Sequence, residues 1–292
     1  MLGVIGYFCG LDLCATGEYN AATASYYGMN LDHNIINING SYFAYAETDK
    51  EIDLFLRGTM AHEFQHLIAF TDALATFGAK YAYGTWLNEA MSGYIEEKLY
   101  PGVKDAEGHY WAYLSGSSVR HGQSLYNFAT EEDVGAYGAV YLFSEYLANL
   151  AGEDIFSKIH DYWRNSYSYT LSDAEAIVKS VPASVYAQIQ QSVEYPSSVR
   201  FENSAWEWMS KLTLQFYLST LAYDAGDPDA YRNLSSEALL YDEINSASIE
   251  GGGRILIAVK DGCFEIPEDA DSGLIYVGLN SDFEVITDIY YN

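Results

Sequence analysis

Between Ile52 and Phe70 the apolar residues leave almost no side of a helix for water. Ile52, Leu54, Phe55, Leu56, Met60, Phe64, Leu67, Ile68 and Phe70 occupy most of its circumference. A helix that is apolar nearly all round is stable when other elements cover it, so the chain is expected to fold around this segment. Polar residues break into it in the order His62-Glu63-Phe64-Gln65-His66. Residues four apart differ by about 40° around a helix axis. His62 and His66 therefore leave one face, one turn apart, at a spacing that lets two imidazoles take two corners of a zinc tetrahedron. Glu63 lies about 100° further round, beside such a metal and not on it. A carboxylate there can take the proton of a zinc-bound water and hand it to a leaving amine.

Zinc needs a third ligand, and no further histidine follows His66 at the short spacing used by metzincins. The next candidate opens a second predicted helix, Trp86–Tyr100, which Pro101-Gly102 stops. In Trp86-Leu87-Asn88-Glu89-Ala90-Met91-Ser92, Glu89 stands 23 residues beyond His66, enough chain for a loop and an antiparallel return. An acid near a helix start is commonly only a dipole partner; next to H-E-x-x-H it becomes a ligand candidate.

The rest of the chain reads as α+β. Residues 1–50 form a small β lobe, with Val4–Phe8 as one strand and Ser41–Glu47, introduced by Asn39-Gly40, as a second, edge strand. A mainly helical catalytic body carrying H-E-x-x-H follows over 51–234. Further helices are expected at about Tyr110–Leu114, Glu132–Ala151, Asp154–Arg164, Ser172–Val181 and Ser204–Tyr223. A β-rich C-terminal subdomain over 235–292 is expected to hold strands at Ile255–Lys260, Leu274–Leu279 and Phe283–Tyr290.

The phrases Ala61-His62-Glu63-Phe64-Gln65-His66-Leu67-Ile68, Trp86-Leu87-Asn88-Glu89 and Ala136-Tyr137-Gly138-Ala139-Val140-Tyr141-Leu142-Phe143 resemble the gluzincin clan, and most of all the hyicolysin-type neutral metallopeptidases of bacteria. The likeness covers about residues 4–150, thins through the later helices and does not reach the tail. It implies one catalytic zinc ion held by His62, His66 and Glu89, Glu63 as general base and acid, and a peptide or protein substrate. It further implies that the strand Ser41–Glu47 pairs with an extended substrate, since an edge strand can hold a peptide of unspecified sequence by its backbone. Where thermolysin-like enzymes follow N-E-A-x-S with an aspartate that orients a zinc histidine, this chain has Gly93. Glu96, two turns beyond Glu89, is an alternative partner for a ligating imidazole; it and Glu97 read equally well as a solvated acidic face. Some gluzincins steady the tetrahedral intermediate with a tyrosine or a histidine. Tyr137 is the candidate here, with Tyr141 one turn on and His109 and His121 as outside candidates.

Composition narrows the alternatives. Lys+Arg 14 against Asp+Glu 41 gives a net charge of −27, which repels phosphate backbones and anionic lipid heads, so no nucleic-acid partner is expected. No apolar run is long enough to span a membrane. Three cysteines make no disulfide scaffold and no C-x-x-C pair. The N-terminus lacks the basic residues and cleavage site of a signal peptide; a secreted or bacterial cell-surface protein, its leader lying outside this sequence, is the expectation. Asp224, Asp227 and Asp229, and the run Glu265–Asp271, are calcium candidates by oxygen content. Neither has the order of an EF-hand loop, and a solvated acidic loop is the ordinary reading of both. No P-loop, nucleophile elbow or dinucleotide fingerprint is present. A zinc-dependent endopeptidase is therefore expected, the absence of a G-x-M-E-N-type motif speaking against an aminopeptidase. The alternative is a catalytically inactive binding or adhesion module on a peptidase-like scaffold.

Overall fold

The computed structural model describes residues 6–8, 36–38, 48–77, 83–106, 108–114, 122, 124–127, 134–166, 171–195, 197, 199–222, 239–240, 249, 251–255, 257–258, 274–278 and 290–291. The expected strand Ser41–Glu47, His121 and both acidic calcium candidates lie outside these residues. Among them the structure is mainly helical. Strands β1 (Gly6–Phe8) and β2 (Ile36–Ile38) pair antiparallel and pack against the helix that carries His62 and His66. β3 (Leu239–Leu240) pairs parallel with β4 (Ile257–Ala258), and β5 (Ile275–Tyr276) antiparallel with β6 (Tyr290–Tyr291). Ladders of two or three residues are too short to establish the expected α+β class or a β-rich tail.

The chain enters the first long helix through Asp49–Glu51 and a π-helical stretch, Ile52–Arg57, a wider winding that is frequent beside functional sites. Helix α1 (Gly58–Phe77) then carries the H-E-x-x-H residues. It packs against α2 (Thr85–Leu99), and α2 packs in turn against α5 (Val134–Ala151). Between α2 and α5 come α3 (Val103–Ala106) and α4 (His109–Leu114), with α4 closely applied to α5. Helix α6 (Ile155–Ser166) buries Ile155, Phe156, Ile159 and Trp163, the i, i+4, i+8 stripe of an amphipathic helix. Gly152 ends α5 with φ +99, and its N–H returns to the Ala148 carbonyl at 2.8 Å, a left-handed cap that favours glycine. Helix α7 (Asp173–Ser180) starts at Ser172, whose Oγ accepts from the Glu175 N–H at 3.2 Å.

Two sequence expectations need correction. The helix around His62 is not covered on all sides: Met60, Phe64 and Ile68 are 49%, 53% and 50% exposed. They form one stripe four residues apart, on the opposite side of α1 from His62 and His66. Apolar residues right round a helix do not say which side a neighbour will take. A helix absent from the sequence expectations, α8 (Ala183–Ser192), follows Pro182, and only Val185 and Ile189 are buried on it, too few to set an apolar period. Proline just ahead of a helix starts it as readily as it ends the one before.

The core lies where α2, α5 and α9 (Ser204–Ala222) meet. Trp86 of α2 packs edge-on against Phe143 of α5 at 5.8 Å between centroids, and Phe143 against Phe216 of α9 at 5.4 Å. Trp208, fully buried, gives its indole N–H to the Tyr186 carbonyl at 3.1 Å and so ties α8 to α9. From the tail, Arg254 reaches back over the ring of Tyr217 at 4.7 Å and donates to the Tyr113 hydroxyl at 2.9 Å and to Thr220 Oγ1 at 3.0 Å.

Helix α2 is capped from a distance. Gly84 offers no cap side chain; its N–H points at both carboxylate oxygens of Asp173 on α7, at 3.1 and 3.0 Å. A Cβ at residue 84 would stand 2.4 Å from Asp173 Oδ2, so the contact needs glycine for space. Asp173→Ala and Gly84→Ala are each expected to lower stability by about 1 kcal/mol, the usual cost of a lost cap. Urea unfolding checks this, and the double variant should cost little more than either single one.

Candidate metal centre

Helices α1 and α2 bring the three ligand candidates together. One ligand atom each from His62, His66 and Glu89 lies within 4.8 Å of the others. His62 Nε2 is 3.1 Å from Glu89 Oε2, and His66 Nε2 is 3.6 Å from Glu89 Oε1. Tetrahedral bonds of about 2.0–2.1 Å set ligand atoms roughly 3.3 Å apart, so the donor spacing suits zinc. The donor chemistry suits it as well: two imidazoles and one carboxylate, without thiolate, leave a fourth position open, as in catalytic zinc sites. The two imidazole rings stand edge to face, 4.8 Å between centroids.

Each histidine is also held on its other side. His62 Nδ1 is 3.1 Å from Glu96 Oε2. His66 Nδ1 is 3.0 Å from Ser92 Oγ, a hydroxyl that also meets Gln65 Oε1 and the Asn88 carbonyl. Imidazoles that bind metals through one nitrogen are oriented by such bonds at the other. Gly93 has no side chain to meet either imidazole; Glu96 and Ser92 supply the contacts to the two histidines. Glu96 is no solvated residue; it is 2% exposed.

The charges lock together. Burial works against an imidazolium at His62, but Glu89 and Glu96 on either side outweigh it and push its pKa up to about 10. Burial would raise the Glu89 carboxyl; hydrogen bonds and charges from His62 and His66 win, and hold it well below the usual carboxylate range.

Glu63 is buried on the same helix. Tyr137, near the start of α5, lies within electrostatic reach of it: burial first, then the charges of Glu89 and Glu63, push the phenol's pKa upward. Tyr137 therefore keeps its proton at neutral pH. Its ring stacks on His109 at 5.3 Å between centroids. Burial and the Lys104 charge push the His109 imidazole down to about 3, leaving it neutral. Tyr141 packs its Cβ beside Gly93 of α2. Nothing in the sequence singles out Lys104, and for Ser92 the serine of N-E-A-x-S is the one available signal.

No protein-family model matches the chain. It is 28% identical over 161 residues to the neutral metalloprotease ShpI of Staphylococcus hyicus, an alignment that covers 53% of this chain and 33% of that protein. The chain thus spans about a third of the relative's length. This distant likeness and the His62, His66, Glu89 grouping together support a relationship to metallopeptidases. No helix among the described residues is long and apolar enough to cross a membrane.

Proposed function

We propose that this chain is a zinc endopeptidase of gluzincin type, exported from the cell that makes it. The observation that carries the reading is the convergence of His62, His66 and Glu89 from two packed helices, with Glu63 one residue along from the first ligand. His62, His66 and Glu89 would hold the metal. When bound, zinc supplies a Lewis acid that lowers the pKa of water to about 7 and polarises a carbonyl. Glu63 takes a proton from the attacking water and delivers it to the departing amine nitrogen. Tyr137, protonated for the reasons above, donates its O–H to the oxyanion that develops on the substrate carbonyl. The residues facing His62 and His66 keep both rings in one orientation while this happens. Partners at both rings also count against an inactive scaffold, where nothing physical would maintain them.

Elemental analysis of the purified protein tests the metal, beside a quenched-fluorescence peptide library for the activity. Wild type is expected to hold about one zinc and to cut peptides internally. Glu89→Ala should lose most of its zinc, since two imidazoles alone leave the ligand set incomplete. Unchanged zinc in Glu89→Ala would point to a different third ligand. Wild-type protein without zinc, after dialysis against it, would end the enzyme reading.

A further inference from the structure

A buried lysine stands behind the candidate metal centre. Lysine is almost never fully buried unless paired, and burying an ion costs several kcal/mol that only close partners offset. The side chain of Lys104 is 3% exposed, and its Nζ meets Glu96 Oε2. That is the same oxygen that faces His62 Nδ1 at 3.1 Å. The chain His62–Glu96–Lys104 thus crosses three elements, α1, α2 and α3.

The surroundings are shaped to place it. Glu97, the neighbour of Glu96, accepts from the backbone N–H of Gly102 at 2.6 Å and of Lys104 at 3.1 Å, which fixes the start of α3. Gly102 makes the turn with φ +93. A Cβ at Gly58 would lie 3.0 Å from Val103 Cγ2 and 3.2 Å from Glu96 Oε1, so glycine there leaves room for the carboxylate. At Gly93 the nearest group is Lys104 Cε, 3.5 Å from a notional Cβ.

We infer that Lys104 is a positioning residue of the metal centre: its ammonium fixes where the Glu96 carboxylate points, and through Glu96 which nitrogen His62 turns toward the metal. A carboxylate held at one contact swings about its own bonds; an ammonium and an imidazole on one oxygen leave it a single orientation. With Glu96 facing Nδ1, Nε2 of His62 is the atom directed at Glu89 and the ligand position. Lys104 Nζ also lies 3.4 Å from His109 Nδ1, whose ring stacks on Tyr137. One ammonium therefore braces both the ligand side and the tyrosine side.

The inference rests on the metallopeptidase reading, and the experiment separates the two. Zinc affinity is measured by competition with a chromophoric chelator for wild type, Lys104→Met, Lys104→Arg, Glu96→Gln and Lys104→Met/Glu96→Gln. Histidine tautomers are read from long-range proton–nitrogen spectra of the zinc-loaded proteins, and kcat and KM from peptide cleavage. Lys104→Met is expected to weaken zinc binding about 10–100-fold, the usual cost of losing a partner behind a ligand, to lower kcat more than KM and to mix the His62 tautomers. Lys104→Arg should recover most of the affinity. In the Glu96→Gln background the lysine change should cost less than about threefold more, since its effect runs through Glu96. Affinity within about threefold of wild type in Lys104→Met, or equal losses in both backgrounds, would overturn the inference. If Lys104→Met does not fold, Lys104→Gln takes its place in the same cycle. A wild type that holds zinc but cuts no peptide overturns the peptidase reading alone, because affinity and tautomer still decide the role of Lys104. A wild type that holds no zinc overturns both.

Discussion

Glu63→Gln is expected to keep the wild-type zinc content and to lose about 10²–10⁴-fold in kcat, the span a positioned general base and acid contributes. Glutamine matches glutamate in shape, so the buried site at 63 stays filled and helix α1 keeps its packing. The amide can still make hydrogen bonds but cannot accept the proton of a water. The neighbouring residues His62, His66 and Glu89 are untouched, so metal and turnover separate. Zinc analysis beside kcat on one peptide measures both quantities. A loss of zinc in parallel with activity would make Glu63 a ligand or a support of the fold; a retained rate would remove it from the chemistry.

The second large effect is expected at Gly138. A Cβ there would stand 2.1 Å from the backbone oxygen of His109 and 2.9 Å from Tyr113 Cβ. Backbone cannot step aside as a flexible side chain can, so Gly138→Ala has to part α4 from α5. Overpacking of this kind costs about 1–3 kcal/mol or more, which urea unfolding reads directly. The site should suffer beyond the loss of stability. His109 and Tyr137 sit on the two helices being parted, and a shift of about 1 Å at a positioning group is worth roughly 10²-fold in rate. The proposed ligands His62, His66 and Glu89 lie on α1 and α2, away from the clash, so zinc should remain. A variant as stable and as active as wild type would show that α4 and α5 approach less closely than described.

What could be read in advance depended on how local the physics is. The shared face of His62 and His66 follows from helix period alone, and Glu89 from its place in a second helix after a turn. Helices α5 and α6, and the break between them at Gly152, follow from apolar period and glycine. The contacts behind the ligands were not legible. Glu96 and Glu97 look alike in sequence, yet one turns inward to His62 and Lys104 while the other holds the first N–H groups around α3. That division depends on where a third element lands, which no spacing encodes. Tyr137 is one of 28 tyrosines; that it feels the charges of Glu89 and Glu63 follows from the packing of α5 on α2. The exposed stripe of Met60, Phe64 and Ile68 marks the opposite failure, where pattern promised a cover on every side.

Arg254 carries a practical consequence for anyone dividing this chain. Its guanidinium is seated on Tyr217 and bonded to Tyr113, and Tyr113 is one helical turn from His109. A shortened gene ending at the proposed boundary of 234 would delete the arginine and leave its two aromatic seats facing solvent. Expression limits placed beyond 255 keep that clasp, and with it the far support of the helix that bears His109.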